Sequence, residues 1–306
     1  MNTLNGILPL NKPKGMTSHD CVMKIRKLLN VKKMGHTGTL DPDVDGVLPI
    51  CIGRATKVVE YMMEYPKTYE AVITLGIATT TEDATGQVIA KKDITSPITP
   101  KQIQTVLTEM EGKIKQVPPM YSAVKVNGKR LYEYAFEGKT IARPQREVTI
   151  HKIELLTDKG IDNHQRSFPI RVTCSKGTYI RTLAVDIGKK LGYPAHMEKL
   201  TRTKSGPFIL EETCTFREIE QAVLNEQIQT HLHSIDKAVA HFEKKVVSDI
   251  VAAKIENGTV LPQFKHMEKK RYTIYNTDGE LLAIYIPHPE KQGLMKPEKM
   301  IKVKGN

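Results

Sequence analysis

The segment GHTGTLDPDVDG, residues 35–46, places aspartates at three alternate positions, Asp41, Asp43 and Asp45, ahead of Gly46, with His36 upstream. That is the opening of a calcium loop, in which alternate carboxylates converge on one cation before a glycine turn. The rest of such a loop is missing. With Asp41 in the first position, Pro49 falls at the ninth and Ile52 at the twelfth, where a bidentate glutamate should close the shell. The residues that follow, CIGRATK, are apolar and then basic, which repels a cation. Zinc fares no better, because His36 has no second nitrogen or sulfur ligand at a useful spacing. No metal is expected. What remains is a turn shaped by Gly35, Gly38, Pro42 and Gly46 that presents a carboxylate. An aspartate in a turn most often caps backbone N–H groups. This one adjoins a basic stretch, where an uncommitted carboxylate is out of place.

The charge distribution narrows the partner. The 306 residues hold 46 Lys and Arg against 34 Asp and Glu, a net charge of +12. Residues 11–34 carry seven basic side chains and one acid, Asp20. Residues 171–206 carry eight against Asp186 and Glu198, so these two stretches hold the entire excess. Clustered cations fit a phosphate-rich partner. The chain shows no zinc finger or leucine zipper, so no DNA-reading motif is expected. Cys21, Cys51, Cys174 and Cys214 lie far apart, which suggests neither a zinc knuckle nor a disulfide framework. No apolar run approaches the roughly 18 residues of a membrane span. The start MNTLNGILPLNKPKG lacks a basic-then-apolar signal pattern. A cytoplasmic protein with no membrane partner is expected.

Helical and strand patterns alternate irregularly, which predicts an α+β fold. ILPL reads as a strand and Ser18 as the N-cap of an amphipathic helix with apolar residues at 21, 22, 25, 28 and 29. VLPICI reads as a buried strand running into a helix at RATKVVEYMM, and TYEAVITL as an alternating strand. Thr99-Pro100 with Gln102 predicts a capping box with proline at the first helical position. Further strands are predicted at SAVKVNG, REVTIHKIEL and PIRVTCS, a helix over TYIRTLAVDIGKKLG ending at Gly192, and a second capping box from Thr215 to Glu218. From about residue 240 the character changes to a short helix, SDIVAAKIENG, a hairpin turning at Asp278-Gly279 and a last strand at IKVK. The expected organisation is a large domain over 1–240 and a small β-rich module over 241–306.

These residues together resemble the TruB-type tRNA pseudouridine synthases, which act on uridine 55 of the T loop. The resemblance rests on ordered blocks: NKPKGMTSHD (11–20), GHTGTLDP (35–42) with GVLPICIGRATKV (46–58), KTYEAVITLG (67–76) with TTEDATG (80–86), PPMYSAVKVNGKRLYEYA (118–135), CSKGTYIRTLAVDIG (174–188) and LTRTKSGPF (200–208). It implies the pseudouridine synthase fold, a mixed, largely antiparallel sheet flanked by helices, followed by a PUA-like RNA-binding domain. It also implies that Asp41 is the catalytic aspartate and that Arg181 pairs with it. Tyr69 would stack on the base and help remove the C5 proton. Tyr179 and Leu200 would line the uracil pocket, His36 would engage the flipped-out nucleotide region, and Asp83 would belong to the base-binding block.

The reaction fits these residue types. The N1–C1′ bond breaks, the base turns and C5 takes the place of N1, so no redox cofactor or metal is required. An aspartate is ionised at neutral pH and can act as nucleophile or base. The base must leave its stack, and aromatic and apolar side chains are suited to receive it. Lys12, Lys14, Lys176 and Lys204 are candidates for phosphate contact with the tRNA T arm, and no obligate protein partner is evident. Asp43 and Asp45 depart from the resemblance and read as exposed turn residues. The rival readings are an RNA-binding protein without catalysis and a cation-binding regulator.

Overall fold

The computed structural model describes residues 4–264 and 270–302. The first half of the chain runs β1 (Gly6–Lys12), α1 (Ser18–Leu29), β2 (Met34–His36), β3 (Asp45–Ile52), α2 (Val59–Glu64), β4 (Lys67–Leu75), β5 (Ile77–Thr79), β6 (Val88–Lys91), α3 (Pro100–Glu109) and β7 (Gly112–Gln116). It continues through β8 (Lys125–Val126), β9 (Lys129–Arg130), α4 (Leu131–Phe136), β10 (Arg146–Leu155), β11 (Ser167–Cys174), α5 (Ile180–Leu191), β12 (Ala195–Ser205), β13 (Phe208–Ile209), α6 (Phe216–Leu224) and α7 (Asp236–Val239). The last part holds β14 (Glu243–Val246), α8 (Asp249–Glu256), β15 (Leu261–Pro262), β16 (Tyr272–Tyr275), β17 (Leu281–Pro287) and β18 (Leu294–Met300).

Among the described residues the main sheet has nine strands, in the order β1-β3-β12-β4-β11-β10-β7, with β2 on β3 and β13 on β12. The fold is α+β. Every neighbouring pair is antiparallel except β3 and β12, which run parallel, with Asp45 opposite Thr201 and Gly46 opposite Arg202. That parallel seam joins two separately packed halves. On one side α1 and α6 cover β1 and β3 through Cys21, Val22, Ile25, Ile219 and Leu48. On the other, α3 and α5 cover β4, β10 and β11 through Ile103, Leu107, Leu183, Ile187 and Phe168. Burying apolar side chains of this size contributes roughly 1.5–3 kcal/mol each.

Local sequence rules explain the helix ends. Thr99 and Gln102 form the capping box of α3, and Thr215 and Glu218 that of α6. Helix α5 stops at Gly192, which is left-handed at φ 84°. The N-cap of α1 is Thr17 rather than Ser18, because Asp20 completes a reciprocal box with Thr17. RATKVVEYMM is a 3₁₀ turn over Gly53–Val58 followed by the short α2, not one helix. Within SAVKVNG only Lys125–Val126 is strand, β8, which pairs with the two-residue β9 just beyond it. Asn127 (φ 51°) and Gly128 (φ 80°) turn the chain at once, as an Asn-Gly pair favours.

A second sheet, ordered β14-β16-β17-β18-β15, begins at Glu243. Its hairpin turns at Asp278-Gly279, with Gly279 at φ 80°. The last strand ends at Met300, before IKVK (301–304), whose residues 303 and 304 lie outside the described residues. This sheet meets α2 along one line. Tyr61 donates a hydrogen bond to Glu298 at 2.9 Å, Lys299 pairs with Glu60 at 2.7 Å and Arg271 with Glu64 at 3.4 Å.

Candidate active site

Asp41 lies in the loop between β2 and β3, and the preceding basic segment holds that loop from below. The Lys12 ammonium donates to the carbonyls of Val44 (2.6 Å), Pro42 (3.0 Å) and Pro13 (3.0 Å). Ser18 Oγ accepts from Leu40 N at 2.9 Å and donates to Leu40 O, while Gly15 N donates to Pro42 O at 2.9 Å. The expectation that Lys12 contacts phosphate is therefore corrected: its side chain is buried and its donors are spent on the loop. Burial lowers its pKa, and Cys21 and the carboxylates of Asp45, Asp41 and Asp43 pull it part of the way back. The additional aspartates thus supply negative charge around a buried cation. Asp45 is also corrected. It opens β3 and accepts a hydrogen bond from Thr201 Oγ1 at 2.5 Å, whereas Asp43 is exposed.

Arg181, in the first turn of α5, reaches Asp41 Oδ2 through Nη2 at 2.9 Å. The same guanidinium donates to Tyr121 O (2.9 Å) and Thr81 O (3.2 Å) and stands 3.7 Å from Asp83 Oδ2. Asp83 is fixed in turn by the hydroxyls of Thr81 and Thr85, each at 2.6 Å. The Arg181 side chain is 6% exposed and that of Asp41 is 46% exposed, so the cation is locked and the carboxylate stays reachable. Two cavities open on this ion pair. The larger, about 450 Å³, is lined by Asp41, Tyr69, Tyr179, Arg181 and Leu200, with Lys176 exposed at its surface. The smaller, about 210 Å³, shares Asp41, Arg181 and Leu200 and adds Asp83 and Lys14. Among the described residues lining the larger cavity Asp41 is the only acid.

Strand geometry presents the remaining side chains. Tyr69 projects from β4 and Leu200 from β12, neighbours in the sheet. Tyr179 is the residue before α5, and its backbone N and O are both held by the buried Gln116 side chain, at 3.0 and 3.2 Å. Burial pushes the Tyr69 phenol above its ordinary pKa, and the Arg202 cation draws it back in part. His36 lines neither cavity; its Nδ1 accepts from Gly38 N at 3.4 Å, and burial with nearby Arg202 lowers its pKa. Lys14 is exposed, 3.9 Å from Asp45, and Lys204 is exposed and lines neither cavity.

Several lining residues were missed in the sequence. Lys67, 5% exposed, donates to Met63 O (2.7 Å) and Tyr65 O (2.6 Å), and burial together with Arg202 lowers its pKa to about 8. Arg202, 1% exposed, donates to Val47 O (2.7 Å) and Gly38 O (3.1 Å). The hydroxyls of Thr37 and Ser122 are buried without a hydrogen-bond partner among the described residues. A signal existed for two of these. Lys67 lies two residues before Tyr69, and Arg202 two after Leu200, so each shares a strand face with a recognised residue. Among the described residues no group of three or more His, Cys, Asp or Glu side chains is placed to hold a metal.

A largely antiparallel sheet with an arginine-paired aspartate at the mouth of a cavity lined by aromatic and apolar side chains defines the class, that of the pseudouridine synthases. Solved relatives share the fold. The Cbf5 chain in the crystal structure of a Cbf5-Nop10-Gar1 complex superposes with a TM-score of 0.74 at 30% identity, covering 97% of this chain and 85% of that one. A chain from an H/ACA RNP bound to a substrate RNA containing 2'-deoxyuridine gives 0.74 at 28%, covering 98% and 86%. Residues 26–180 match the N-terminal domain of the TruB family pseudouridylate synthases, and residues 181–240 match the tRNA pseudouridylate synthase B C-terminal domain. The tRNA pseudouridine synthase B of Bacillus licheniformis is 54% identical over 301 residues, covering 97% of each chain. That of Bacillus subtilis is 54% identical over 302 residues, covering 97% of this chain and 98% of its own. The chain belongs to the TruB family of pseudouridylate synthases and is an isomerase.

Proposed function

We propose that this enzyme converts uridine to pseudouridine at position 55 in the T loop of tRNA, with Asp41 acting on a flipped-out uridine and no cofactor. The observation that carries this reading is that Asp41, half-exposed and paired with a locked arginine, is the only acid among the described residues lining the larger cavity. The reaction needs one carboxylate held near the glycosidic carbon while the base turns, and the ion pair with Arg181 holds Asp41 in place. Tyr69, Tyr179 and Leu200 offer the freed base a surface to stack on, which offsets the few kcal/mol lost on unstacking. Tyr69 helps remove the C5 proton, and Asp83 faces the other amino group of Arg181, Nη1, at 3.7 Å. His36, beside the loop, would meet the flipped-out nucleotide region. Lys14, Lys176 and Lys204 are exposed cations available to the phosphates of the T arm. Residues 1–240 form the catalytic domain in this reading and 241–306 a PUA-like RNA-binding domain. The enzyme works in the cytoplasm and requires no obligate protein partner.

Tritium release from C5-labelled uridine in a T-arm transcript tests the proposal. Wild type should release tritium, and a transcript with cytidine at position 55 should release none. Asp41→Asn should abolish release while RNA binding stays within about tenfold. Silence from the wild type refutes the reaction, and a parallel loss of binding in Asp41→Asn makes Asp41 a structural residue.

A further inference from the structure

We infer that Arg202 is a positioning residue that ties the Tyr69 hydroxyl to the loop carrying Asp41, setting the distance between the two sides of the reacting nucleotide. The inference rests on the roles proposed above for Asp41 and Tyr69. Arg202 sits on β12 where two pairings meet, opposite Tyr69 of β4 in the antiparallel ladder and opposite Gly46 of β3 in the parallel one. Its side chain is one of the largest wholly buried in the molecule. No carboxylate among the described residues pairs with it; its donors go to backbone carbonyls of the loop and of β3. Nε binds Val47 O of β3 and Nη2 binds Gly38 O, three residues before Asp41. Tyr69, its partner across the ladder, lines the same cavity, where the Arg202 cation draws the phenol's raised pKa part of the way back.

The surrounding backbone is shaped for this arrangement. Gly46 has φ +108°, and a Cβ there would collide with the backbone of Arg202. Gly38 has φ +136°, and a Cβ there would stand 3.5 Å from Arg202 Nη1. Gly46 lets β3 close onto the arginine, whereas at Gly38 it is the positive φ, not the space, that calls for glycine. A buried cation satisfied by carbonyls alone is costly to retain, and an apolar side chain of similar length would serve packing as well. What an apolar side chain cannot supply is a fixed donor at the phenol oxygen, which orients the hydroxyl and favours its ionised form.

The test compares Arg202→Lys and Arg202→Met by single-turnover tritium release, RNA binding and the ring resonance of Tyr69 in carbon-13-tyrosine-labelled enzyme, assigned by its loss in Tyr69→Phe. Release should slow by at least about tenfold in Arg202→Met, and less in Arg202→Lys, with RNA affinity within about threefold of wild type. In a Tyr69→Phe background Arg202→Met should cost less than about threefold more, because the contact it serves is already gone. The Tyr69 resonance should shift in Arg202→Lys. Wild-type rates in both variants, fully multiplicative losses or an unmoved resonance overturn the inference. If Arg202→Met does not fold, Arg202→Lys decides; if Tyr69→Phe is inactive, the resonance decides. Absence of tritium release from the wild type refutes the proposed reaction instead, and the resonance still reports on the contact.

Discussion

Arg181 and Arg202 come from the same basic stretch, line the same cavity and are almost equally buried, yet they are satisfied in opposite ways. Arg181 faces carboxylates, Asp41 at 2.9 Å and Asp83 at 3.7 Å. Arg202 faces the carbonyls of Gly38 and Val47 and a phenol. Lys67, on carbonyls alone, belongs with Arg202. One wall of the cavity therefore neutralises its charge internally, and the other leaves positive charge uncompensated. An anionic substrate gains more from the second wall, while the first holds the carboxylate proposed to react. Net charge counted along the chain cannot make this distinction, because depth and partner decide what a cation does.

The comparison can be broken at either wall. The largest effect is expected on the paired wall: Arg181→Met should leave Asp41 without its partner and reduce tritium release by at least about a thousandfold, and activity within tenfold of wild type would show that the pair is dispensable. Next comes the buried strut under the loop. Lys12→Met strands three carbonyls and should lower stability by about 1–3 kcal/mol in denaturant unfolding, with release falling in parallel. An unchanged midpoint would return Lys12 to the surface.

A smaller effect is expected from pH at the uncompensated wall. Lys67 titrates near pH 8 in the folded chain, against 10.5 ordinarily. The folded state disfavours its charge, so the associated penalty is full below pH 8 and is relieved as pH rises from there towards 10.5. RNA binding moves the other way, because phosphate favours the charged lysine. Wild-type affinity measured by filter binding should fall a few-fold as pH passes through about 8, and Lys67→Met should show a flatter profile. The smallest effects belong to the exposed cations. Lys176→Ala and Lys204→Ala should each weaken binding modestly and reduce the slope of log affinity against log salt by about one. A change in tritium release at saturating RNA would instead place either lysine in the chemistry.

Local signals in the sequence were read well, and depth was read poorly. The capping boxes at Thr99 and Thr215, the stop at Gly192 and the Asp278-Gly279 hairpin each depend on a few adjacent residues, and all formed as expected. Ser18 was misjudged because its hydroxyl serves a residue 22 positions away, Leu40, rather than its own helix. Lys12 looked like a surface cation for the same reason: the three carbonyls that bury it lie in another segment or next to it. The loop shows the same division. Its four shaping residues and the failure of the calcium pattern were visible in the spacing, but the divergence of Asp41 towards Arg181 and Asp45 towards Thr201 depends on strand pairing.

The two carbonyls that hold Lys67 belong to Met63 and Tyr65, at the end of α2. The other side of that six-residue helix carries the contacts of Glu60, Tyr61 and Glu64 with the second sheet, and the Tyr65 hydroxyl meets the ring of His241. One short helix is thus a common wall, with the second sheet on one face and the cavity floor on the other. A displacement of the second sheet therefore also moves the perch of a cavity lysine, so the C-terminal module and the charge at the cavity floor are mechanically connected.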